Sequence, residues 1–190
     1  MKTQSFFIKH ISLLFVLGTC FSCIKDTDFE QDNALILYPT VELNLVNAQE
    51  PAASFVDSSG TELPFISDQV VFDVFNSGFS IDNLIKAELV FGITNSINKA
   101  FQIKVDFYDN ADALQHTFSI DIDNSPSNTP LFTEHIEVFE NMSLTALKST
   151  HKLIITFTLI STPTSSVLTS GSEGSILFAS KGVFYLKISS

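Results

Sequence analysis

Asp106, Asp109, Asn110 and Asp112 crowd one short segment, and their chemistry is that of a hard-cation site. Several oxygen ligands gathered on a single turn are what Ca2+ requires. The spacing departs from the EF-hand pattern, and Asp-Asn pairs are also ordinary turn residues that bond nearby backbone. Calcium is therefore a weak candidate ligand of these four residues. Asp121, Asp123 and Asn124 make a second, looser cluster.

Other chemistries find less to work with. His116, His135 and His151 stand well apart, with neither a His-x-His pair nor the His-Glu-x-x-His spacing of a helical zinc site. Gly171-Ser172-Glu173-Gly174 lacks the strand-turn-helix setting that aims a nucleophilic serine at substrate. Carboxylate pairs for glycoside cleavage could be drawn from so acidic a chain, but most fall on outward strand positions where solvation accounts for them. Sugar stacking is served only by Tyr38, Tyr108 and Tyr185, because the chain has no Trp. No catalytic residue is assigned, and the expectation is a protein that is not an enzyme.

Charge narrows the partners further. All 10 Lys+Arg are lysine, set against 21 Asp+Glu, for a formal net charge of -11. Such a surface repels phosphate backbones, so nucleic acid is excluded as a partner. The absence of arginine also removes the bidentate fork used to grip phosphate and carboxylate.

Only two cysteines are present, Cys20 and Cys23, and both follow an export-like N-terminus. Lys2, Lys9 and His10 precede the apolar run Ile11–Leu17, after which come the small residues Gly18, Thr19 and Ser22. That run is far below the roughly 20 residues of a membrane-spanning helix and matches the apolar region of a secretory signal. A lipoprotein signal places a small residue before a cysteine that then receives lipid. Cys20 has the better residue three places upstream, and Cys23 has the better serine directly before it.

The residues that follow decide for Cys23. The stretch Cys23-Ile24-Lys25-Asp26-Thr27-Asp28-Phe29-Glu30 resembles the mature start of flavobacterial (Bacteroidetes) outer-membrane and surface lipoproteins. The resemblance implies lipid on Cys23 and an export signal in Lys25, Asp26 and Asp28. It carries no activity with it. The segments expected are a signal peptide over 1–22, a lipidated tether over 23–33 and one domain over 34–190. The tether reaches at most about 35 Å when extended, which keeps the domain near the membrane. With Cys20 removed and Cys23 acylated, no thiol is left for a disulfide, a metal or a nucleophile.

The domain must then hold its shape by core packing alone, and its pattern is period-2 alternation. Phe101, Ile103, Val105 and Phe107 share one face of 100–108. After the Asp109-Asn110 turn, Leu114, His116, Phe118, Ile120 and Ile122 share a face of the next strand, which predicts a hairpin. Leu153, Ile155, Phe157 and Leu159 make a third inward row, and Ala87, Leu89, Phe91 and Ile93 a fourth. Weaker strands are predicted at 34–46, 53–57, 68–75, 131–139, 175–180 and 183–189, the first interrupted by Pro39 as an edge strand or bulge would be. Short helices are predicted at Ser80–Lys86 and Ser143–Lys148, each opened by its serine as N-cap.

Two connections, 124–130 and the Ser/Thr-rich 161–173, are the first loops to inspect for binding residues. Outward apolar residues at Val71, Val90 and Ile154 mark either a covered second face or a protein contact patch. The fold class expected is an all-β antiparallel sandwich of about eight to ten strands, immunoglobulin-like or jelly-roll-like. The function expected is a non-catalytic lipoprotein, anchored to the outer membrane by lipid on either its periplasmic face or the cell surface. It contacts another envelope protein and has no cofactor besides the covalent lipid. The alternative is a surface module that binds glycans or calcium.

The anchor is open to direct test. Intact mass of the membrane-extracted protein should show a chain beginning at Cys23 and heavier by its acyl groups, and Cys23→Ala should abolish both. A lipid-free chain cut elsewhere would remove the anchor from this reading.

Overall fold

A computed structural model describes residues 36–72 and 78–189, excepting the side chains of Phe79 and Ser80. Ile36–Ile188 is one compact unit, and the account concerns that unit. Eight long strands dominate it. They are β1 (Thr40–Pro51), β2 (Phe65–Val71), β3 (Leu84–Asn95), β4 (Ala100–Tyr108), β5 (Leu114–Ile122), β6 (Leu131–Phe139), β7 (Lys152–Ile160) and β8 (Ser175–Leu186).

They form two four-stranded antiparallel sheets, ordered β1-β8-β3-β6 and β2-β7-β4-β5. The chain crosses between sheets at nearly every connection, and only β4 and β5 are consecutive neighbours. This order is that of a jelly roll, two interlocked Greek keys, so of the two sandwich types expected the jelly roll is the one adopted.

The rows read from alternation face each other across the sandwich. Leu89 and Ile93 of β3 and Ile103, Val105 and Phe107 of β4 are wholly buried. The expected β4–β5 hairpin forms, and it pairs Val105 with Phe118 and Ile103 with Ile120. Phenylalanine rings bridge the sheets: Phe91 of β3 lies 5.1 Å from Phe118 of β5, Phe178 of β8 6.0 Å from Phe157 of β7, and Phe139 of β6 5.5 Å from Phe107 of β4. Offset and edge-to-face rings at such separations suit the aromatic quadrupole and fill the gap between sheets.

Several elements depart from the sequence expectations, among them the strand expected at 68–75, which is β2 at Phe65–Val71. Residues 53–57 are not a strand. Ala52–Phe55 is a 3-10 turn, which seats Ala52 and Phe55 in the core with the Phe55 ring 4.9 Å from that of Phe101. The two strands expected at 175–180 and 183–189 are the single strand β8, running through Lys181-Gly182. Gly182 is no turn residue. A Cβ there would lie 2.4 Å from the Phe184 ring, which folds over it.

The first strand breaks at Pro39, as expected, but β1 then extends to Pro51 with an irregularity between Asn44 and Val46. The second helix begins before Ser143, at Asn141 (α2, Asn141–Ser149). Ser143 is therefore inside the first turn instead of at the N-cap. Its Oγ accepts the Glu140 N–H at 2.9 Å and donates to the Glu140 carbonyl at 2.8 Å. The first helix (α1, Gly78–Asn83) stops short of the Lys86 expected and gives way directly to β3.

Phe178 touches both Phe91 and Phe157 and is 1% exposed. Phe178→Ala should lower the unfolding free energy by about 3–5 kcal/mol, read as a drop in the urea midpoint at unchanged slope.

Candidate functional site

The Asp-rich turn shows what its residue types do locally. The Asp109 carboxylate accepts the backbone N–H groups of Ala111 (2.8 Å) and Ala113 (2.9 Å) through Oδ1 and the Gln115 side-chain amide (2.7 Å) through Oδ2. The Ala113 N–H leads the causes that hold this carboxyl below the usual range. Asp106 is not on the turn. It sits in β4, 6% exposed, accepting the Thr117 hydroxyl at 2.6 Å and facing Lys104 at 3.0 Å. Asp112 has a left-handed backbone and pairs with Lys152, while Asn110 is exposed. The four residues thus address separate partners. Among the described residues no group of three or more His, Cys, Asp and Glu is arranged to hold a metal ion.

The fold brings two of the histidines together. His116 of β5 and His135 of β6 both meet Glu137, with Nε2 to carboxylate oxygen distances of 2.7 and 3.0 Å. The His135 ring stacks on Phe118 at 4.9 Å, and the His116 ring meets Phe139 edge-on at 4.9 Å. Because β5 and β6 are edge strands of different sheets, this clasp closes one side of the sandwich. Strand parity puts His116 on an inward row, but nothing in the spacing of residues 116 and 137 signals that their strands meet.

The long 161–173 connection is pinned from within. Lys99, 2% exposed, meets Glu62 at 2.7 Å, and the same carboxylate oxygen accepts the Leu168 N–H at 2.9 Å. Leu168 is itself buried. Asn95, fully buried, donates to the carbonyls of Lys99 (2.9 Å) and Asp123 (2.8 Å) and accepts the Ile97 N–H (2.9 Å). The two loops singled out from sequence, 124–130 and 161–173, border one shallow polar depression of about 420 Å3. It is lined by Asn98, Ser127, Asn128, Ser172 and Glu173.

Two apolar features remain. On the outer face of the first sheet, β6 exposes Phe132 (66%), Ile136 (48%) and Val138 (44%). Ile136 is registered opposite Val90 of β3, one of the outward residues flagged by the sequence. The Phe132 ring covers Gly92, where a Cβ would approach it to 3.2 Å. On the side opposite the histidine clasp, the seam between β1 and β2 is open. A cleft of about 290 Å3 enters there, over Val46, Ile66, Val70, Phe157 and Phe178. Cys23, Lys25, Asp26 and Asp28, the expected lipid and export residues, lie outside the described residues.

Comparison with known proteins returns likeness in structure and none in sequence. No family model matches the chain, and no curated protein matches it. Among solved structures it is similar to a protein of Parabacteroides distasonis ATCC 8503 described as secreted, at 12% identity and a TM-score of 0.49, covering 63% of this chain and 37% of that one. It is also similar to infectious bursal disease virus, Gx strain, at 8% identity and a TM-score of 0.38, covering 83% and 42%. A third is the enzymatically active domain of bacteriophage CBA120 tailspike protein 4, at 11% identity and a TM-score of 0.32, covering 80% and 19%. The chain spans less than half the length of each.

The buried Lys99 gives this end of the molecule a measurable weak point. Glu62→Ala should strand its ammonium and lower the unfolding free energy by about 3 kcal/mol. Lys99→Met, which removes the charge and keeps the volume, should cost clearly less. Urea unfolding of the two variants beside the wild type checks the order.

Proposed function

We propose that this chain is a non-catalytic envelope lipoprotein, held to the outer membrane by lipid on Cys23, whose jelly roll docks another envelope protein. The observation that carries the docking half is the row Phe132, Ile136 and Val138 on β6. A contiguous apolar row on the outer face of a sheet, rimmed by polar residues, is the form a protein contact surface takes. β6 is also the end of its sheet, so one side of its backbone is free to pair with a strand from a partner. Glu134 stands within the row and sets a polar point amid it.

The anchoring half rests on sequence alone: the apolar run of 11–17, the serine before Cys23 and the Lys25-Asp26-Thr27-Asp28 stretch after it. A tethered module near a membrane meets partners in two dimensions at high effective concentration, which suits a modest apolar patch. The alternative of glycan or calcium binding has less behind it. The carboxylates of Asp106, Asp109 and Asp112 are engaged by protein donors, and the depression between the loops has no aromatic lining.

The reading is tested by pull-down from crosslinked envelopes with the wild type and with Phe132→Ser/Ile136→Ser. The wild type should recover a stoichiometric partner that the double variant loses, while the variant, which gives up about 1–2 kcal/mol of cross-strand contact, keeps the circular dichroism and cooperative unfolding of the wild type. Recovery of no stoichiometric partner by the wild type would reject it.

A further inference from the structure

The two side seams of the sandwich are built differently. Where β5 meets β6, His116, Glu137 and His135 tie the sheets and Phe118 and Phe139 fill the space. Where β1 meets β2, no equivalent tie is formed among the described residues, and the cleft of about 290 Å3 opens onto the core.

The residues bordering that cleft follow from register. On β1, Val46, Ala48 and Glu50 pair with Ser180, Phe178 and Ile176 of β8, the row that faces the core. On β2, Ile66, Asp68 and Val70 pair with Phe157, Ile155 and Leu153 of β7, which also face the core. Each edge strand therefore carries one carboxylate in a row that is otherwise apolar or small. Beneath them the floor is Phe157 and Phe178, 7% and 1% exposed.

Among the described residues neither carboxylate forms an ion pair with a lysine or histidine. Lys86, Lys99, Lys104, Lys152 and Lys181 are paired with Glu88, Glu62, Asp106, Asp112 and Glu42. Asp68 accepts the N–H of Gln69 at 2.8 Å. A pocket with apolar walls and a few convergent polar groups is the form small-molecule sites take, and this one is near the lower end of their usual range, about 300 Å3. Two unmatched carboxylates over apolar walls select for positive charge on an apolar body.

We propose that the β1/β2 cleft binds a small organic cation, an amine or quaternary ammonium carried on an apolar skeleton. Glu50 and Asp68 hold the charge, and Val46, Ile66, Val70 and Phe157 receive the body. The site is separate from the β6 surface, and neither depends on the other. A competing role for the same carboxylates is protection of the edges, since inward charges on edge strands discourage pairing with other chains.

The test uses the full chain carrying Cys23→Ala, so that no attached acyl group competes. Benzyltrimethylammonium is titrated by calorimetry beside its neutral isostere, neopentylbenzene. The cation should bind at least about tenfold more tightly than the neutral molecule, and Glu50→Gln and Asp68→Asn should each weaken it by about tenfold, as the loss of a contact to charge does. Ile66→Trp, which fills the cleft, should abolish binding in a variant whose circular dichroism matches the wild type. Failure of the folded protein to bind the cation overturns the proposal, as does equal binding of the two probes with no response to Glu50→Gln or Asp68→Asn. If those variants instead self-associate and the parent binds neither probe, the carboxylates guard the edges and the proposal is wrong.

Discussion

Phenylalanine rings reaching across the gap between two sheets are what the rest of this structure depends on. Phe91 to Phe118, Phe178 to Phe157 and Phe139 to Phe107 are each a contact between sheets. Aliphatic rows from both sheets, among them Leu89, Ile93, Ile103 and Val105, pack around these rings, and the 3-10 turn and the histidine clasp join the sheets further. Residues 24–190 contain no cysteine, so no disulfide supplements the core, and apolar burial must offset the chain entropy of the whole domain. Among the described residues nine phenylalanines are buried, and they answer that demand because each ring buries a large area.

A core that apolar tolerates few polar intruders, and those admitted are all engaged. Among the described residues no buried side-chain nitrogen or oxygen lacks a hydrogen-bond partner. Asn95 serves three backbone groups at the turn between β3 and β4. Lys99 and Glu62 bring the 161–173 connection onto the end of the sandwich and order a segment whose Ser/Thr composition by itself favours exposure. Buried polar groups of this kind define a single arrangement of loops, since every alternative leaves one of them unmatched.

The two seams give the molecule a direction. The clasped β5/β6 side is closed, and the first strand beyond it, β6, carries its apolar row outward. The β1/β2 side stays open, with carboxylates at the mouth of an apolar cleft. An antiparallel sandwich has no geometric need for this asymmetry. It arises from which side chains happen to stand on four edge strands, and both proposed binding surfaces are therefore edge properties of the jelly roll.

Alternation along each strand was legible without coordinates, because period 2 states which side chains face the core. It placed the rows of β3, β4 and β7, the β5 row from His116 to Ile122 and the β4–β5 hairpin, whose short turn leaves the chain little choice of neighbour. Leu114, expected in that row, is 50% exposed because the register shifts beside it. Strand neighbours beyond a hairpin were not legible. Alternation names a face and not a partner, so β1 beside β8, and β6 beside β3, emerge only when the sheets assemble. The same reason hid His116 and Glu137, Lys99 and Glu62, and the paired carboxylates Glu50 and Asp68. The misread elements obey it too: Ala52–Phe55 turns inward because Phe101 offers a site for Phe55, and Gly182 stays within β8 because the Phe184 ring needs its empty Cβ position. Composition and spacing determined that this chain would be a phenylalanine-cored antiparallel β-sandwich. Packing between residues distant in sequence decided which sandwich it is and where its surfaces lie, because such contacts exist only once the strands share a sheet.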